Sequence, residues 1–396
     1  MINIPLICSA VQMNPPETSD ASKLLGHRPE GAFAGPLRGL RVLEFAGLGP
    51  APFACMLLAD MGAEVVRVDR PQAQPGDVRD LVQRGRSVVH LDLKSPQGRA
   101  VAQELVDHCD VLVEGFRPGV MERLGLGPAH AHQRNPQLVY GRMTGWGQEG
   151  PLAHTAGHDI NYIALSGALH AIGPRERPVP PLNLVGDYGG GSMYLVTGIL
   201  AALIERNQSG LGQVIDAAIV DGATSLMTQF VSMGLRGNFL EERQNNTLDG
   251  AAPWYTVYET ADSKHMSIGA FEPQFFAHLC ALIGLAPEWH SAQNDRARWP
   301  GLRAEMAAIF RTRTRDEWVG LLGGTDVCAA AVLSLSEAAT DSHIVKRGTY
   351  IEIGGVRQPA PAPRFSRTPS KARPVAVEPT PAEQVVARWA KRVPSS

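Results

Sequence analysis

LRVLEFAGLGPAPFACMLLADMGAEVVRVD, residues 40–69, reads as strand, turn, helix and strand in thirty residues. The apolar run Leu40 to Phe45 enters Gly47-Leu48-Gly49-Pro50. Ala51 to Met61 then carries helical spacing until Gly62 stops it, and Glu64 to Val68 is β-rich. Two strands joined through one helix make a βαβ unit, and such units build parallel sheets. Downstream, Val88 to Leu93 predicts another strand, Ser95 caps a helix with Pro96 at its first position, and Val111 to Glu114 predicts a further strand. The expected fold class is α/β: a large Rossmann-like domain on a parallel sheet plus a smaller α+β domain.

Working outward, residues 1–36 mix Pro, Ser, Gly and Glu without periodicity and are expected to be a poorly ordered extension. The large domain is expected over 37–218, completed by residues 360–396. A linker helix over 219–250 leads to a small domain over 251–347, with a second linker over 348–359. The small domain carries a capping box from Thr314 to Glu317, closed by Gly323-Gly324. The Pro-rich tail from Gln358 to Pro381 suits a segment laid over a surface.

A chain of 396 residues exceeds one ordinary hydrophobic core, which is why two domains are expected. A net charge of -2 provides no global field for polyanions, so neither nucleic acid nor an anionic membrane is an expected partner. The five cysteines, Cys8, Cys55, Cys109, Cys280 and Cys328, are far apart with no C-x-x-C spacing, and read as buried thiols of a reducing compartment. With no apolar run long enough to span a bilayer and no Ser-Lys-Leu ending, the expected location is the cytoplasm.

Gly47-x-Gly49-x-x-Pro52, followed by Asp69, half-matches a dinucleotide fingerprint. Pro52 stands where a third small residue belongs, so a structural turn is the better reading than NAD binding. Arg67, Arg70, Arg79, Arg84, Arg86, Lys94, Arg99, Arg117 and Arg123 could meet phosphates, but the same stretch holds as many acids. In Gly157-His158-Asp159-Ile160-Asn161-Tyr162 an imidazole just precedes an apolar helix, placed to face a cleft. His154 lies four residues earlier, yet Gly157 and the lack of a third ligand argue against zinc, and no metal is expected.

In Asn183-Leu184-Val185-Gly186-Asp187-Tyr188-Gly189-Gly190-Gly191, Asp187 reads as the cap of a helix whose first turn is glycine-rich. Such glycines destabilise a helix unless the backbone must approach something closely, and amides exposed there can hold an oxyanion. Asp187 as nothing more than a cap is the alternative. Glu272, in Gly269-Ala270-Phe271-Glu272-Pro273, is a carboxylate in an apolar setting and becomes useful only with a partner.

Together these segments resemble the α-methylacyl-CoA racemases, a branch of the class III CoA-transferase superfamily. The match is collinear from Leu37 to Arg367, through Leu43–Pro50, Val66–Pro71, Arg117–Val120, Gly157–Tyr162, Pro181–Gly191, Leu248–Pro253 and Glu272–Phe275. The resemblance implies His158 and Asp187 as catalytic acid/base residues, with Glu272 close to Asp187. It implies CoA binding by Arg70, Leu91, Asp92, Leu93, Lys94, Gly115, Phe116, Arg117 and Arg123, and substrate contacts from Gly157, Asp159, Ile160, Asn161 and Tyr162. It further implies an interlocked homodimer, each site lying between the large domain of one chain and the small domain of the other. The implied substrate is a 2-methylacyl-CoA, with CoA part of the substrate and no separate cofactor. The extension and a Gly173–Arg177 loop one residue short depart from the pattern, and the loop bears on substrate fit.

The chemistry demands such a pair. A hydrogen next to a thioester is weakly acidic, so its removal needs a positioned base and a stabilised enolate, and inversion needs a second group on the opposite face. An ordinary aspartate is rarely protonated at neutral pH, so the affinity of Asp187 for protons must be raised by burial and a second carboxylate, the role expected of Glu272. The enolate oxygen is expected to meet the amides around Asp187 to Gly190. The alternative on the same scaffold is a CoA-transferase with Asp187 as nucleophile, where His158 and Glu272-Pro273-Gln274 discriminate. A non-catalytic CoA-binding protein and an NAD dehydrogenase stand behind it.

Overall fold

The computed structural model describes residues 33–74 and 76–391. The expected extension lies almost entirely outside the described residues, as does Cys8. β1 (Arg41–Phe45), α1 (Pro50–Asp60) and β2 (Glu64–Asp69) form the βαβ unit read from the sequence. β3 (Arg86–His90), α2 (Pro96–His108), β4 (Val111–Glu114), α3 (Val120–Arg123), α4 (Pro128–Arg134) and β5 (Val139–Thr144) follow. α5 (Asp159–Leu165), α6 (Ala168–Ala171), α7 (Met193–Ser209) and β6 (Val214–Ala218) complete the sheet and its cover. The six strands are parallel in the order β3-β2-β1-β4-β5-β6, the doubly wound arrangement.

β4 and the last four residues of β1 are buried because each face of the sheet has its own helical layer, with Glu44 and Glu114 the charged residues among otherwise apolar ones. Ala54, Cys55 and Leu58 of α1 pack with Leu195 and Ile199 of α7 on one face. Leu105 and Val106 of α2 pack with Val385 and Trp389 on the other. Ser95 caps α2 as expected, its hydroxyl accepting from the Gly98 amide. β3 ends at His90, so Leu91–Lys94 form the loop beyond the strand's carboxyl end.

The linker expected as one helix is broken into α8 (Ile219–Leu226) and α9 (Thr228–Leu235), followed by turns. The small unit holds β7 (Tyr255–Glu259), β8 (His265–Gly269), α10 (Pro273–Ile283), α11 (Trp299–Phe310), α12 (Arg315–Leu322) and β9 (Ala329–Ala331). Its antiparallel sheet encloses a separate core of Trp254, Phe276, Leu302, Phe310 and Trp318. Thr314 and Glu317 form the expected capping box on α12. After α13 (Leu335–Ala338) and α14 (Ser342–Lys346), residues 348–359 are not a plain linker. They fold into a hairpin of β10 (Tyr350–Ile353) and β11 (Val356–Pro359).

The tail then returns across the large unit. The amides of Lys371 and Thr380 donate to the carbonyls of Asp60 and Val88, Arg373 donates to three backbone carbonyls, and α15 (Ala382–Ala390) closes the face over α2. Cys55, Cys109 and Cys280 are buried as expected, but Cys328 is exposed beside β9, because its short loop leaves the core at Val327.

Candidate active site

Strand order reverses between β1 and β4, so the loops after them flank a crevice at the carboxyl ends of the sheet, where open α/β sheets take ligands. Arg70 follows β2, Leu91–Lys94 follow β3, Gly115–Arg117 follow β4, and Arg123 ends α3. The nine-against-nine charge balance resolves here. Arg84 and Arg86 are buried against Asp60 and Glu44, Arg67 pairs with Asp69, and Arg79 with Asp77. Arg99 donates to the carbonyls of Leu93 and Lys94. Among the described residues, the side chains of Arg70, Lys94, Arg117 and Arg123 have no ion pair or hydrogen bond, which leaves four unpaired cations on the segments that follow β2, β3 and β4. The loop after β4 is held from beneath: buried Arg142 bridges Glu114 and Glu122, and the second Glu114 oxygen accepts from the Phe116 amide at 2.8 Å.

His158 immediately precedes α5 in extended conformation and is exposed. Its amide donates to Asn161 Oδ1 at 3.0 Å, so Asn161, expected to touch substrate, also caps the helix that presents His158. Tyr162 lies buried behind them, edge-on to Trp146 with ring centroids 4.7 Å apart, its hydroxyl donating to the Gly157 carbonyl. That fit needs glycine at 145 and 157, since a Cβ would come within 1.9 Å and 2.7 Å of the Tyr162 ring. Ile160 is exposed on the same helix.

Asp187 is not a helix cap. Leu184–Ser192 forms a wide π-helical turn that runs into α7, and Asp187 lies within it. Single π turns inside helices recur at functional sites. The glycines here serve close approach to protein. A Cβ on Gly190 would meet the Ala223 amide at 2.6 Å, and one on Gly191 would meet Pro50 at 3.0 Å. The segment is thus seated against α8 and the start of α1.

Around the Asp187 carboxyl stand Asn183, whose Nδ2 donates at 3.4 Å, and Gly49 of the turn after β1. The Asp187 amide donates to Asp159 Oδ1 at 2.7 Å, and the Tyr188 amide donates to the Asn183 carbonyl at 3.2 Å. Those two amides are therefore not free for an enolate, contrary to the sequence expectation. Burial raises the carboxyl of Asp187 above the ordinary aspartate range. The Asp159 charge adds to the rise, while the Asn183 hydrogen bond and the His158 charge oppose it. Burial likewise raises Tyr162, with Asp187 and Asp159 acting in the same sense and Arg117 against. The cation after β4 is thereby within electrostatic reach of Tyr162.

Glu272 heads α10 in the small unit, half-buried, and its charge acts on Cys328. It is not among the groups acting on Asp187 within the chain. The second carboxylate at Asp187 is Asp159, one residue after His158, which the sequence marked only as a substrate contact. Asn183 was quoted in the glycine-rich stretch without a role, and Trp146 and Gly145 carried no local signal. Among the described residues no cluster of three or more His, Cys, Asp or Glu is placed to hold a metal, and no helix is long and apolar enough to cross a membrane.

The sequence pattern of CoA-transferase family III matches residues 37–384. Alpha-methylacyl-CoA racemase of Mus musculus is 46% identical over 336 residues, 84% of this chain and 87% of that protein. The Homo sapiens racemase is 44% identical over 338 residues, with the same coverage of each. A crystal structure of a CAIB/BAIF family protein from Brucella suis superposes with a TM-score of 0.74 at 26% identity, covering 90% of this chain and 99% of that one.

Proposed function

This chain belongs to CoA-transferase family III, and on that premise we propose that it interconverts the (R) and (S) forms of 2-methylacyl-CoA thioesters by 1,1-proton transfer. The observation that carries the reading is the Asp187 carboxyl, made harder to ionise by burial and by Asp159, with the His158 imidazole close enough to act on it. A nucleophilic aspartate needs its anion. An aspartate that alternates between acid and base needs the raised proton affinity found here.

In one direction neutral His158 takes the α-proton and protonated Asp187 returns a proton to the other face of the planar enolate. The enzyme then holds an imidazolium and a carboxylate, and the reverse direction begins from that state. No electrons change hands, so proton transfer alone suffices. The first amides of α5, those of Asp159 and Ile160, are donors a helix leaves without an internal acceptor, and they adjoin His158. We assign the enolate oxygen to them. Arg70, Lys94, Arg117 and Arg123 would meet the CoA phosphates, with Phe116 and the Leu91–Lys94 loop against the rest of the nucleotide.

The working form is proposed to be a homodimer. Leu165, Leu182, Leu184 and Met193 around the site are exposed, as are Val231 and Leu235 on α9. Large apolar side chains gathered near one site mark an interaction surface. Glu272 would then join the His158–Asp187 pair from the second chain.

The test is incubation of the purified protein with each enantiomer of 2-methylacyl-CoA in deuterated water, with and without a carboxylate acceptor. Loss of configuration with α-deuterium uptake, independent of acceptor, supports the racemase. Retained configuration with acceptor-dependent CoA transfer would make Asp187 a nucleophile instead.

A further inference from the structure

Asp159 comes from the first position of α5 and Asp187 from the π turn, elements remote in sequence that the fold joins through one hydrogen bond of 2.7 Å from the Asp187 amide. Gly186 makes the joint possible, because a Cβ there would stand 2.2 Å from Asp159 Oδ1 and 2.9 Å from Ile163. A carboxylate that accepts an amide proton is held in place, and it brings its charge close to the Asp187 segment. We propose that Asp159 is the positioning residue of this site, fixing the spacing between the His158 and Asp187 segments and standing as a second carboxylate beside Asp187. The proposal deepens the racemase reading and rests on it for its catalytic consequence.

Two roles follow from one side chain. As the residue after His158, Asp159 ties the start of α5 to the π turn, so the gap between the two acid/base groups is set by a bond rather than by loop conformation. Burial is the main reason that Asp187 resists ionisation, and Asp159 adds to it as a second carboxylate. The other groups facing Asp187 do not supply that effect. His158 and Asn183 act in the opposite sense, the turn after β1 offers no ionisable side chain, and Asp221 of α8 is not among the charges acting on it. Burial pushes the Tyr162 hydroxyl upward, with Arg117 opposing, so it adds no negative charge beside Asp187.

Asp159→Asn keeps an oxygen acceptor for the Asp187 amide and removes the charge, whereas Asp159→Ala removes both. The Asp187 carboxyl is followed by carbon-13 NMR in aspartate-labelled full-length protein, its resonance assigned by its loss in Asp187→Asn, alongside pH profiles of α-deuterium exchange. In Asp159→Asn the Asp187 midpoint is expected to fall, and the limb of the exchange profile that tracks Asp187 to move to lower pH with it. In Asp159→Ala kcat is expected to drop about 100-fold, the scale of a misplaced reacting group, with KM little changed. An unmoved Asp187 midpoint in Asp159→Asn would overturn the proposal. The NMR titration reads the coupling whether or not turnover occurs, so an inactive wild type would count against the racemase reading alone.

Discussion

The Asp187 carboxyl stands over Gly49, where a Cβ would come to 3.1 Å from Oδ2. Gly49 also holds a left-handed φ of 70°, so the turn after β1 needs glycine both for its own backbone and for the room it leaves the candidate acid. The half-fingerprint read there as a structural turn is thus also the turn that leaves room for the Asp187 carboxyl.

Gly49→Ala is expected to cost about 1–2 kcal/mol from the left-handed backbone alone. Activity is expected to fall further than stability, because the new methyl presses on the Asp187 carboxyl. Thermal unfolding and exchange rate measured on one preparation separate the two effects.

Gly186→Ala drives a methyl into the Asp159 carboxylate. Overpacking of this kind costs about 1–3 kcal/mol, and the hydrogen bond between Asp159 and the Asp187 amide is the contact expected to yield. Exchange activity should be lost while the far-ultraviolet circular dichroism spectrum is retained.

Much of the fold was legible because it is locally encoded. β1, the turn at Gly47 to Pro50 and α1 are written in one short stretch, and the caps at Ser95 and Thr314 need only the following three residues. The wide turn at Asp187 was not legible. Helical spacing around Met193 to Leu203 suits an ordinary helix, and the π register depends on Gly190 meeting α8 and Gly191 meeting Pro50. The same limit hid Asp159, whose partner is twenty-eight residues away. Residues 348–359 looked like a connector because Gly354 and Gly355, the hairpin turn, sit between two very short strands.

The raised proton affinity of Asp187 carries a stability signature. A carboxyl raised in the folded state stabilises the fold below its unfolded value, and that contribution is lost as pH climbs through the folded value. Asp187→Asn is therefore expected to raise the melting temperature at neutral pH, to leave it unchanged in acid below the ordinary aspartate range, and to abolish racemisation. Calorimetry across that range checks the sign.

Burial raises Glu114 as well, with the Phe116 amide and then Arg142 opposing. Removing one partner of a buried ion pair strands the other, at about 3–5 kcal/mol. Arg142→Ala is expected to destabilise the fold by that amount in denaturant titration. It is also expected to raise KM for CoA thioesters more than it lowers kcat, because the loop carrying Phe116 and Arg117 loses its support.

The most direct test of the two-base account follows α-deuterium uptake from each enantiomer separately in His158→Ala and in Asp187→Asn. Each variant should lose racemisation yet retain uptake from one enantiomer only, and the two variants should retain opposite ones. Uptake surviving from the same enantiomer in both variants, or racemisation surviving in either, would contradict the assignment of His158 and Asp187 to opposite faces of the substrate.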